Sequence, residues 1–171
     1  STLGPEDAAA IFAATPPLEA LRFMLSLAMT EQAEDRLAEV VLSFLDISRA
    51  HLHSPIRQEV FVKACKEDVD CPEGYCWRLL KAMYGLRDAG AAFDKNVEES
   101  SEAMGFKVGL FSPCLCYNPV TKVRFFRRGD DFVVLGSRAG VKGYSDELGK
   151  HLIVKVRGTL GPRKDLGDVQ E

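Results

Sequence analysis

The stretch "VRFFRRGDDFVVLG", residues 123–136, constrains this chain most. Two β-branched and aromatic arms flank a short turn at Gly129, a pattern that reads as an antiparallel hairpin. The arms are apolar enough to belong in a core. Yet two adjacent acids, Asp130 and Asp131, occupy the junction. Aspartate is a poor strand former, and neighbouring carboxylates repel. A turn that must aim two acids often needs φ above zero, which Gly129 supplies at no steric cost.

The rest of the chain supplies partners for such a hairpin. Apolar residues at helical spacing after "PP" predict a helix over about 18–29. "VVLSFLDIS" reads as a buried strand ending at Asp46, and "RQEVFVKA" as a second strand. "CKEDVDCPEG" is a turn-rich acidic loop, and "YCWRLLKAMYGL" mixes strand and helix signals before breaking at Gly85. An amphipathic helix is predicted from Asp88 to Met104, with Gly105 as its stop. "CLCYNPVTKVRFF" gives two short strands around a turn at Asn118-Pro119. After the hairpin, "GYSDELGKHL" suits a short helix and "LIVKVRG" a last strand. This order predicts one α+β domain over 1–171, a mainly antiparallel sheet with helices packed on one face. Its core spans about 16–157, and the tails 1–15 and 158–171 are expected to be loosely held.

Charge narrows the partners. The net charge of −3 argues against a strongly basic nucleic-acid binder, but its distribution is uneven. Residues 1–119 carry 11 basic and 18 acidic side chains, whereas residues 120–171 carry 11 basic and 7 acidic. That basic last third could track a phosphate backbone or form a mixed solvated surface. Lys122, Arg124, Arg127 and Arg128 are the candidates for a phosphate-facing stripe. Five cysteines without framework spacing read as reduced thiols of an intracellular protein. A zinc site drawing on Cys71, Cys76, His51 and His53 can be imagined, although these residues lack the paired spacing of a structural zinc site. No apolar run is long enough for a membrane span, and no basic-flanked signal peptide opens the chain. The missing initiator Met marks it as an expected piece of a longer polypeptide.

The acids suggest chemistry. Adjacent strands lie about 4.8 Å apart, so a strand ending at Asp46 beside the hairpin would bring Asp46 close to Asp130. Three carboxylates that close repel unless cations lie between them. Mg²⁺ takes such hard oxygen ligands, and a pair of ions about 3.5–4 Å apart can assist in-line displacement at phosphorus. An ordinary acidic β-turn, with Asp46 as a cap, remains the other reading of these residues alone.

Taken in order, "FLDISRAHLHSPIRQEVFVKA", "WRLLKAMYGLRDAGAAF", "MGF", "SPCLCY" and "GDDFVVLG" resemble the reverse transcriptase of copia-type retrotransposons over about residues 16–157. The resemblance implies a polymerase palm with part of the fingers. Asp46, Asp130 and Asp131 match the family's catalytic, metal-binding aspartates, and Ile47 falls where a backbone carbonyl helps bind metal. His51 falls where a ring packs against the incoming sugar, and Arg87 stands for a lysine that would contact substrate phosphate. Tyr84 and Gly85 match a segment leading to the template, and Arg127 and Arg128 flank the acids as nucleic-acid contacts. Gly90, Ala91 and Phe93 replace the family's proline, arginine and tryptophan, while Arg128 and Gly129 replace its tyrosine and valine. The implied cofactor is Mg²⁺, with Mn²⁺ as a substitute. The implied partners are an RNA or DNA template-primer, dNTPs, and the integrase and ribonuclease H of a polyprotein, in a cytoplasmic particle or the nucleus. The alternative is a catalytically inactive remnant that serves as a nucleic-acid-binding or interaction module.

Overall fold

The predicted hairpin lies in the middle of a six-stranded antiparallel sheet. The computed structural model describes residues 18–34, 40–56, 59–65, 67–72, 74–86, 89–110 and 112–161. Helix α1 (Leu18–Glu34) precedes β1 (Val40–Ile47) and a 3₁₀ turn (Ala50–His53). A separate two-stranded ribbon pairs β2 (Phe61–Lys63) with β3 (Cys76–Arg78). Helix α2 (Ala89–Ala103) leads to β4 (Lys107–Val108), β5 (Leu115–Tyr117), β6 (Arg124–Arg128) and β7 (Asp131–Ser137). Helix α3 (Arg138–Leu148) and β8 (Val154–Leu160) follow. The sheet order is β4-β5-β6-β7-β1-β8. This is the α+β, palm-like architecture that the sequence predicts.

Strand alternation sorts the core into two faces. On one, Val41, Leu45, Phe125, Phe132 and Val134 pack with Phe93 and Val97 of α2 and Val141, Tyr144 and Leu148 of α3. The Phe125 ring centres this cluster, 5.1 Å from Phe106, 5.2 Å from Tyr144 and 5.7 Å from Phe132. On the other, Leu42, Phe126, Val133 and Leu135 receive Ala20 and Met24 of α1. The one-face expectation therefore holds for α2 and α3 but not for α1. The reason is visible in β7: a run such as "FVVL" is apolar on both sides and needs cover on both.

Two turns fix the frame. Gly105, at φ 83°, ends α2 as predicted: its amide donates to Glu102 O at 2.8 Å and that of Phe106 to Ser101 O at 3.0 Å. This paired closure satisfies the last helical carbonyls and drops Phe106 into the core. At the Asn118 turn, Oδ1 accepts from Val120 N and Thr121 N, and Nδ2 donates to Met104 O at 2.9 Å. One buried amide thereby ties the β5–β6 connection to the end of α2.

The cysteines divide by burial. Burial pushes the Cys114 thiol up and that of Cys116 up to about 12, with Arg127 opposing the shift at both. Cys65 and Cys76 are exposed. A thiol-specific reagent at pH 8 should therefore label Cys65 and Cys76 in the native protein, and reach Cys114 and Cys116 only after unfolding. Peptide mass spectrometry reads the order directly; native labelling of Cys116 would contradict this packing. Among the described residues, no helix is long and apolar enough to cross a membrane.

Candidate active site

Register decides whether the acids can meet. In the β1–β7 ladder Asp46 pairs with Asp131, next to Leu45 with Phe132. Directly opposed residues share a face, with Cβ atoms about 4.5–5.5 Å apart. Asp46 and Asp131 therefore project side by side, on the face that α1 covers farther along the strands. Arg128 pairs with Asp131, which leaves Gly129 and Asp130 as the two-residue turn. Gly129 has φ 60° and Asp130 is not in the positive-φ region, the pattern of a type II′ hairpin turn. The amide of Ile47 donates to Asp130 O at 2.9 Å, tying the turn to the end of β1. That edge of β1 at Ile47, where the resemblance puts a metal-binding carbonyl, faces the turn.

The surrounding charges alternate. Lys155 stands opposite Asp46 on β8 and Arg128 opposite Asp131 on β6, so the row across four strands reads Arg128, Asp131, Asp46, Lys155. The two central acids repel, and the flanking cations offset part of that cost. Asp46 is the most enclosed of the three, with 18% of its side chain accessible, and its Oδ2 accepts from Arg157 Nη2 at 3.1 Å. Because the arginine is 63% exposed, the pair contributes only about 0–1 kcal/mol.

Three carboxylates at one corner of a sheet are the hard-oxygen donors that Mg²⁺ selects, so the donor set fits the ion. Among the described residues no three acidic, cysteine or histidine side chains already close on a common point. Asp130 and Asp131 are exposed, and rotation of their side chains would be needed to gather them.

His51 and Tyr84, singled out separately in the sequence, are brought together. Arg49, at φ 56°, turns the chain out of β1 into the 3₁₀ segment that carries His51. The His51 ring lies edge-on to Tyr84 at 4.6 Å and to Phe93 at 6.3 Å, and its Nδ1 is buried without a partner. Ala82 N donates to Ser54 O at 2.9 Å and holds the Tyr84 segment in place, after which Gly85 turns away at φ 91°. Tyr84 keeps 54% of its surface exposed. His53 bonds Ser48 O through Nε2, and the four imagined zinc ligands are not gathered among the described residues.

Strand alternation splits the basic stripe, leaving Arg124 and Arg128 on one face and Arg127 on the other. Arg127, expected to contact nucleic acid, is 6% exposed and forms a buried ion pair with Asp94 of α2. It lies on the face covered by α2 and α3, opposite the face that carries Asp46 and Asp131. Arg124 stacks over the Tyr117 ring at 4.8 Å, and Arg128 remains exposed beside the acids. Arg87 and the start of the α2 prediction at Asp88 lie outside the described residues, as do both terminal tails beyond 18–161. Two participants were not foreseen. Arg157 was visible only as one of several strand cations, and Asp94 as one acid of an amphipathic helix.

A family model for reverse transcriptase (RNA-dependent DNA polymerase) matches residues 3–160. The chain belongs to the reverse transcriptase family. In this reverse transcriptase family member the match takes in each element from α1 to β8, including all three aspartates. No curated protein and no solved structure matches the chain.

Proposed function

We propose that the chain is the palm and part of the fingers of a copia-type, RNA-directed DNA polymerase, carried in a longer polyprotein and using Mg²⁺. One observation carries the reading: Asp46 and Asp131 face each other across the β1–β7 ladder, with Asp130 in the adjoining turn. Asp46, Asp130 and Asp131 would hold the ions, with the Ile47 carbonyl at the same edge. When bound, two Mg²⁺ ions lower the pKa of a primer 3′-hydroxyl and neutralise the leaving pyrophosphate. The chain's own part is placement. The ladder sets the spacing of two acids, the II′ turn aims the third, and Arg128 and Lys155 add positive charge for phosphates on the same row. His51, braced by Tyr84 and Phe93, offers a ring edge for an incoming sugar. Template-primer and dNTPs are the substrates of this reading, with integrase and ribonuclease H as neighbours in the polyprotein.

The inactive-remnant reading draws on the Asp46–Arg157 contact, which satisfies the most enclosed acid without metal. Primer extension on an RNA template with Mg²⁺ separates the two. Synthesis by the full-length polypeptide supports the polymerase. Salt-sensitive retention of the template-primer without extension supports the remnant.

A further inference from the structure

We propose that Arg157 and divalent cations compete for the Asp46 carboxylate, so that Arg157 sets the threshold for metal loading. The inference rests on the reading of Asp46, Asp130 and Asp131 as a shared cation site. It begins with an irregularity in the backbone. In the β1–β8 ladder Leu45 faces Val156, but Phe44 faces Gly158, which leaves Arg157 as the extra, unpaired residue of a β-bulge. Bulges bend a strand and re-aim the side chain at the slip. Beyond it the strand is anchored again: Ser43 Oγ lies 3.0 Å from Thr159 Oγ1 and donates to Gly158 O at 3.4 Å.

The re-aimed guanidinium reaches Asp46 Oδ2 at 3.1 Å. Lys155, directly across from Asp46 in the ladder, has no ion-pair partner among the described residues. Asp46 is thus paired with the bulge residue and not with the cation opposite it.

The chemistry of exchange follows. Asp46 and Asp131 repel across the ladder, and Arg157 offsets that with a single charge on one oxygen. A divalent ion can engage several acids at once, and on Asp46 it would meet the guanidinium's positive charge at close range, which disfavours joint occupancy of the carboxylate. With 63% of its side chain exposed, Arg157 can swing into water at small cost. An ion therefore binds more tightly to the molecules in which Arg157 has left. Where the closed form excludes the ion, apparent affinity falls to the open fraction of its intrinsic value; an exposed pair of this kind closes Arg157 in roughly 50–85% of molecules, a two- to sixfold effect.

The test is Mn²⁺ binding to the whole chain, followed by the electron paramagnetic resonance of free Mn²⁺. R157Q should tighten the Kd about two- to sixfold. R157K, which keeps the charge but loses the planar fork, should fall between R157Q and wild type, and it carries the test if R157Q does not fold. D46N should abolish the tight site. Wild-type binding that D46N removes, combined with unchanged or weaker affinity in R157Q, overturns the competition and leaves the cation site standing. Absence of Mn²⁺ binding in wild type and both arginine variants overturns the cation site and the competition together. Thermal stability supplies a second readout. R157Q should melt below wild type in chelator, and saturating Mn²⁺ should close the gap; a gap that persists unchanged opposes competition.

Discussion

Replacing Asp130 with Asn in the full-length polypeptide should lower primer extension on an RNA template by about 10³-fold or more, the scale expected when an electrostatic element of phosphoryl transfer is lost. The substitution keeps the side chain's size and polarity and removes one negative charge. Asp130 is an exposed turn residue, and its backbone carbonyl, which accepts from Ile47 N, is untouched. Stability should therefore hold within about 0.5 kcal/mol, the range for surface changes away from special features. Asp46→Asn should cost as much activity, and it also removes the charged partner of Arg157. Melting curves alongside the extension assay separate chemistry from folding. Undiminished extension by folded D130N would remove Asp130 from the proposed machinery.

The second large effect concerns stability and lies on the far face of the sheet. Arg127→Met should destabilise the fold by roughly 2–4 kcal/mol, toward the range for breaking a buried pair, because it leaves a mostly enclosed carboxylate without its cation. Asp94 has 17% of its side chain accessible and Arg127 only 7%, so water replaces the lost partner only in part. Removing both charges tests the cause: Arg127→Met with Asp94→Leu should recover most of the loss, since an apolar pair of similar volume needs no solvation. Chemical denaturation of the three variants measures this. A loss below about 1 kcal/mol for the single variant would place the pair in the class of exposed ion pairs. Denaturation together with the salt dependence of template-primer binding decides between the two roles considered for Arg127. A phosphate contact would appear as a reduced salt slope of template-primer binding at unchanged stability, whereas the buried pair predicts the reverse.

These two predictions show what the sequence could and could not reveal. The hairpin was legible because its signals agree: β-branched arms, a glycine that supplies φ 60°, and acids at the turn. The strand ending at Asp46 lies beside this hairpin, but the β1–β7 register sets Asp46 opposite Asp131, whereas Asp130 is the neighbour expected from the sequence. The burial of Arg127 is not legible because adjacent arginines in a strand point to opposite faces, and charge counting ignores that alternation. Which of Arg127 and Arg128 turns inward depends on the partner that α2 offers, and Asp94 is distant in sequence. The side of α1 escaped for a related reason: an apolar helix does not announce which face of a doubly apolar sheet it will cover. The β8 bulge has no local signature in "VKVRG", so the meeting of Arg157 with Asp46 emerges only from tertiary register.

Site chemistry was legible in a different way. Single motifs such as "GDD" are short and common, and the five-segment order carried the resemblance that the family match over residues 3–160 now supports. His51 and Tyr84 came from separate segments of that order. Their ring contact at 4.6 Å gives them one location, and it makes the Tyr84 ring a support for His51 as well as an exposed surface.

The most direct measurement is the anomalous scattering of Mn²⁺ in crystals of this chain. The account predicts a peak within about 2.0–2.3 Å of carboxylate oxygens from Asp46 and from at least one of Asp130 and Asp131, at the distances of hard-ion coordination. It also predicts that the Arg157 guanidinium has moved off Asp46. A fully loaded crystal whose Mn²⁺ peaks all lie elsewhere, with Arg157 still seated on Oδ2, would contradict it.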